Sequence, residues 1–69
     1  MIPANEAKVE WSPEKHQWHV VITVGAEVIK RWMAGQPHEA ADDSLKSLAV
    51  ETAKDEGYDL DASHVSIAR

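Results

Sequence analysis

From Gln17 to Ala34 the chain reads QWHVVITVGAEVIKRWMA, two apolar-rich runs split by Gly25-Ala26. Both runs are rich in β-branched residues, which fit a pleated surface. Glycine at the first central position suits a type II′ turn, a favoured two-residue hairpin loop. The pattern therefore predicts a β-hairpin with strands from about Gln17 to Val24 and from Glu27 to about Met33.

The loop length sets the register. It pairs Val24 with Glu27, Ile22 with Ile29, Val20 with Arg31 and Trp18 with Met33 on one face. On the other face it pairs Thr23 with Val28, Val21 with Lys30 and His19 with Trp32. Apolar side chains thus occupy both faces. The first face carries the stronger set and is expected to meet a helix.

Upstream, Lys8-Val9-Glu10-Trp11 alternates as a half-buried strand does. Ser12-Pro13-Glu14-Lys15 predicts a type I turn, with Pro13 pre-setting its φ and Ser12 bonding the backbone. Residues 1–6 show no periodicity and are expected to fray, which leaves 7–69 as one domain.

Downstream, Gly35-Gln36-Pro37 breaks the hairpin. Pro37 suits the first position of a helix, with Glu39, Asp42 and Asp43 near the positive end of its dipole. Ala41, Leu45, Leu48, Ala49 and Thr52 recur at the spacing of one helical face, and Asp42 and Lys46 form an i,i+4 pair opposite. Val50 stands alone among charges. Gly57 ends the helix, and Tyr58 and Leu60 are expected to fold back on it. His64 to Ala68 alternates again and predicts a short last strand.

The fold expected is a two-layer α+β domain of order β-β-β-α-β. An antiparallel meander is followed by a crossover helix and a fourth strand parallel to the first, giving sheet order 3-2-1-4. Leu45, Leu48 and Val9 or Trp11 should complete its core with the hairpin. This order, with an acidic helix after the meander, resembles the partial RNase H-like domain of HicB-type antitoxins. The likeness is one of topology over most of the chain and is carried by no residue motif.

Composition narrows the chemistry. A 69-residue chain buries only about 60% of its unfolded surface, and small domains are commonly braced by disulfides, metal or association. There is no cysteine, so disulfides and thiolate metal sites are excluded and a reducing compartment fits. The N-terminus has no basic segment followed by an apolar run, and no stretch approaches a membrane span. A cytoplasmic location without membrane partners is expected. The net charge of −5 disfavours nucleic-acid binding by a single chain.

No catalytic or cofactor motif stands out. His16 and His19 are two imidazoles where zinc wants three or four ligands. The carboxylates fall on a solvated helix face or in a connection, and the serines have no base arranged beside them. No catalytic, metal or cofactor residue is assigned, and the expected protein is not an enzyme.

The second sheet face is the remaining signal. His19, Val21, Val28 and Trp32 would form a self-contact with Trp32 as its anchor, and Glu39, Asp42 and Asp43 would meet a basic partner. The function expected is a small non-catalytic protein-interaction or regulatory module, a homodimer with a further protein partner. An antitoxin-like or phage-encoded inhibitor would be two versions of it. The alternative is a nucleic-acid-associated regulator whose dimer gathers Lys8, Lys30 and Arg69.

Overall fold

The computed structural model describes residues 2–33 and 35–68. Six strands and one helix run in the order β1 (Ile2–Pro3), β2 (Glu6–Ser12), β3 (Gln17–Val24), β4 (Glu27–Met33), α1 (Asp42–Asp55), β5 (Tyr58–Asp59) and β6 (Val65–Ala68). The main sheet has the order β4-β3-β2-β6. Its β2, β3 and β4 form the antiparallel meander, and β6 returns parallel to β2, as the sequence pattern predicts.

The hairpin register agrees with the expected one at all seven pairs, from Val24–Glu27 to Trp18–Met33. Gly25 has φ of 59°, the positive value that the first position of a type II′ turn requires. At the β2–β3 turn the Ser12 hydroxyl accepts from the Lys15 N–H at 3.4 Å. The turn closes one residue later than expected: His16 adopts φ of 53°, and its N–H donates to the Ser12 carbonyl at 2.8 Å.

One face of the sheet carries Trp18, Val20 and Ile22 on β3 and Val9 on β2, all fully buried. Against them α1 buries Leu45, Ala49 and Ala53, a stripe at four-residue spacing. Leu60 and Val65 close the bottom of this core, while Ile29 and Trp11 pack at its margin.

The helix differs from the expected one in start and face. It begins at Asp42, not near Pro37, with Ala41 as an N-cap that supplies no side-chain bond. Residues 37–40 form a turn closed by Ala40 N–H to Pro37 carbonyl at 3.1 Å, so Glu39 precedes the helix and does not belong to its face. Ala41 is exposed, Leu48 and Thr52 are half-buried, and Ala53 takes the buried place. Val50 packs against the core and is no isolated apolar point. Gly57, with φ of 90°, ends the helix and donates to the Lys54 carbonyl at 2.9 Å.

Residues 2–6, expected to fray, lie against the domain. β1 pairs parallel with β5, Ala4 is buried, and its N–H donates to Asp59 at 2.8 Å. Asn5 adds two long-range bonds, from its N–H to Thr23 and from the Gly25 N–H to its Oδ1. Two-residue strands show no periodicity, so the pattern gives no sign of this pair. The domain thus carries a second, two-stranded sheet beyond the expected order.

Candidate interaction surface

Side chains alternate across a strand, so the residues on the face away from α1 follow from the register. Three cross-strand rows, with the Gln17–Ser12 pair beyond the third, cover this open face. The first is Val28–Thr23–Glu6, the second Lys30–Val21–Lys8–Ser66, and the third Trp32–His19–Glu10–Ala68. The structure therefore brings His19, Val21, Val28 and Trp32 onto one surface.

Their exposures differ. Val28 and Trp32 retain 55% and 47% of their accessible surface, while His19 and Val21 are half-buried between neighbouring strands. Ile2, on β1, is the other large exposed apolar residue among those described. The imidazole of His19 lies 4.6 Å from the Trp32 ring, and the Lys15 ammonium sits 5.1 Å over that ring from the β2–β3 turn. An ammonium over an indole is attracted by the ring's quadrupole. Lys8 and Glu10 form an ion pair of 3.2 Å along β2. The open face is thus polar in the middle, bulky along β4 and small along β6.

The helix layer is different in kind. Asp42 and Asp43 occupy the first turn of α1 and are exposed, as is Glu39 in the preceding turn. Asp43 and Glu51 border a shallow groove with Gln36, Ser44, Ser47 and Leu48. Residues 2–33 contain four basic and four acidic side chains, whereas residues 35–68 contain two and eight. The excess of acidic residues among those described therefore falls in the segment that carries α1 and follows it. Lys30 and Arg31 point to opposite faces, and Arg31 pairs with Glu56 at the end of α1. Arg69 lies outside the described residues.

One feature that the pattern does not reveal is an aromatic cluster at the end of the sheet. Trp11 and Trp18 meet edge to face at 5.4 Å, and His38 stacks on Trp18 at 6.1 Å and meets Trp11 at 5.0 Å. His38 reaches them from a loop, where periodicity carries no signal. Asp61 caps a short 3-10 turn over Ala62–His64, accepting from the Ser63 N–H and hydroxyl, each at 2.9 Å. These bonds, the backbone one foremost, hold its carboxyl below the usual carboxylate range, and His64 adds to the effect.

Among the described residues, no three His, Asp or Glu side chains are grouped to hold a metal ion. No helix among them is long and apolar enough to cross a membrane. No family model, curated protein or solved structure matches this chain.

Proposed function

We propose that this chain is a non-catalytic protein-interaction module of the cytoplasm. It self-associates through the open sheet face and presents the acidic helix layer to a basic partner. The carrying observation is the segregation of the two surfaces. Trp32 and Val28 stand exposed on a face of balanced charge, and the segment 35–68, which carries α1, holds eight acids against two bases. Large exposed aromatic residues on a small domain mark contact sites, because indoles supply much apolar area at low entropic cost. An antitoxin-like inhibitor would use such a two-sided body, one side for assembly and one for its target. Sedimentation over a range of concentrations tests the first half. The parent should dimerise and Trp32→Ala should remain monomeric; a parent that stays monomeric throughout removes self-association.

A second reading is a nucleic-acid-associated regulator, and one observation favours it. Lys8 and Lys30 share a row of the open face, with Lys15 and the Trp32–His19 pair beside them. Base stacking on an aromatic ledge with flanking cations is how single strands are held without sequence preference. A gel shift that weakens steeply with salt and vanishes on Lys30→Ala would place this reading first.

A further inference from the structure

The open face is self-complementary under one symmetry operation, and the geometry points to a second copy of this chain as its occupant, stacked face to face about an axis parallel to the strands between β2 and β3. This rests on the self-association proposed above and specifies its geometry. Two sheets packed in the aligned manner admit two in-plane two-fold axes, one along the strands and one across them.

An axis across the strands lays β4 on β4 of the second copy. When it runs over the Lys30–Val21–Lys8–Ser66 row, Lys30 lies on Lys30 and Lys8 on Lys8, and Glu6 meets Glu10. Set over the middle row, this axis opposes like charges at every charged position; set half a row away, it pairs Lys8 with Glu10 but lays the bulky β4 edges on each other and the small β6 edges opposite each other, so either charge or shape opposes association.

An axis along the strands lays β4 on β6 and β3 on β2. In the row Trp32–His19–Glu10–Ala68, each Trp32 then faces the small Ala68, and each His19 faces Glu10. In the row Lys30–Val21–Lys8–Ser66, Lys30 faces Ser66 and Val21 faces the aliphatic stem of Lys8. Thr23 meets Glu6 in the remaining row. In the two rows that β6 reaches, bulk meets small side chains at both edges, and no like charges are opposed. The large residues along β4 and the small ones along β6 are thus two halves of one contact, repeated twice by symmetry.

The face has modest size. Three strands of seven or eight residues and the four-residue β6, about 4.8 Å apart, cover on the order of 400 Å² of projected area. That is about half the standard area per partner, the size class of weak, transient contacts, so the dimer should need high protein concentration to form.

The chain has no cysteine, so single introduced thiols report distances cleanly. Across stacked sheets about 10 Å apart, Lys30 and Ser66 of the second copy face each other, while the two Lys30 positions are about 17 Å apart. With a short bismaleimide, a mixture of Lys30→Cys and Ser66→Cys should give a covalent dimer, and Lys30→Cys alone should give almost none. Charge exchange gives an independent reading. Glu10→Lys and His19→Glu should each weaken self-association about tenfold or more, and their equimolar mixture should restore it, because the new lysine then faces the new glutamate. Circular dichroism on each variant checks that the fold persists.

Efficient cross-linking of Lys30→Cys to itself would overturn the proposed axis. So would a parent dimer that shows neither the mixed cross-link nor rescue; self-association would survive both outcomes. A parent that is monomeric at every concentration overturns the proposal and the self-association reading together.

Discussion

The indole Nε1 of Trp18 donates to the Pro37 carbonyl oxygen at 2.8 Å, bonding the start of β3 to the loop that leads into α1. Trp18 is fully buried, so its N–H needs a partner inside the protein. The same carbonyl accepts from the Ala40 N–H, so one oxygen fixes both the tryptophan and the turn before the helix. Trp18→Ala should cost about 3–5 kcal/mol, the usual range for a buried tryptophan. Trp18→Phe keeps much of the volume but removes the donor, and should cost roughly 1.5–3 kcal/mol from the lost bond and the residual cavity. Urea unfolding of the three proteins checks the order. A Trp18→Phe variant as stable as the parent would mean that the bond does not hold the loop.

The helix packs by Leu45, Ala49 and Ala53, and this separates two leucines that look equivalent on a helical wheel. Leu45 has no exposed surface, whereas Leu48 is half-buried beside the groove with Asp43 and Glu51. Leu45→Ala should cost about 2–5 kcal/mol, and Leu48→Ala clearly less, because its cavity opens to solvent. Equal losses would show that the helix is rotated about its axis from this packing.

Why the hairpin was legible and the helix start was not follows from the range of the forces involved. The Gly25-Ala26 loop and the period-two pattern fix a register locally, so every pair from Val24–Glu27 to Trp18–Met33 could be read from the chain. The loop before α1 is tied down by a contact across nineteen positions, between Trp18 and Pro37, which no local window sees. Proline at 37 reads as a helix start, yet its carbonyl serves a tryptophan. The pairing of β1 with β5 joins chain segments over fifty positions apart through two-residue strands. The four residues of the sheet surface were readable because alternation placed them; the acidic surface was readable as a helix face only from Asp42 onward, since Glu39 lies in the preceding turn.

Ala41 offers a direct route to a more stable protein. It sits at the N-cap in extended geometry, exposed, with no side-chain bond to the first turn. A serine there supplies an oxygen for an orphan N–H of the first turn, which is worth about 0.5–2 kcal/mol. Ala41→Ser should therefore raise the unfolding midpoint. No gain would place the helix start elsewhere.

Asp61 gives a signature in pH. Its carboxyl is held below the usual range by the Ser63 N–H and hydroxyl, with His64 contributing. A depressed folded-state value means that the carboxylate stabilises the fold fully above the unfolded carboxylate value and loses that effect as pH falls through the depressed one. Its titration, followed by the carboxyl carbon shift, should come at lower pH than that of an ordinary aspartate. Ser63→Ala removes the hydroxyl donor but keeps the backbone one, so the midpoint should rise only part of the way. A full return to the ordinary value would mean that the hydroxyl bond dominates.

The acidic helix layer makes the most demanding prediction. Asp42 and Asp43 stand exposed in the first turn of α1 and do not enter the core, so the pair Asp42→Asn and Asp43→Asn should stay folded by circular dichroism. Some stability should be lost, because acids near a helix start favour the dipole by about 0.3–1 kcal/mol each. A basic partner would respond differently from the fold. Removing rim charges slows the encounter and flattens its salt dependence more than it hastens dissociation. With the partner captured from lysate by the parent, association with the double variant should be slower at low salt and nearly equal to that of the parent at high salt. Trp32→Ala, on the opposite layer, should leave those rates unchanged. Unchanged association of the double variant at low salt would make the acidic layer solvated surface and confine any partner to the open sheet face.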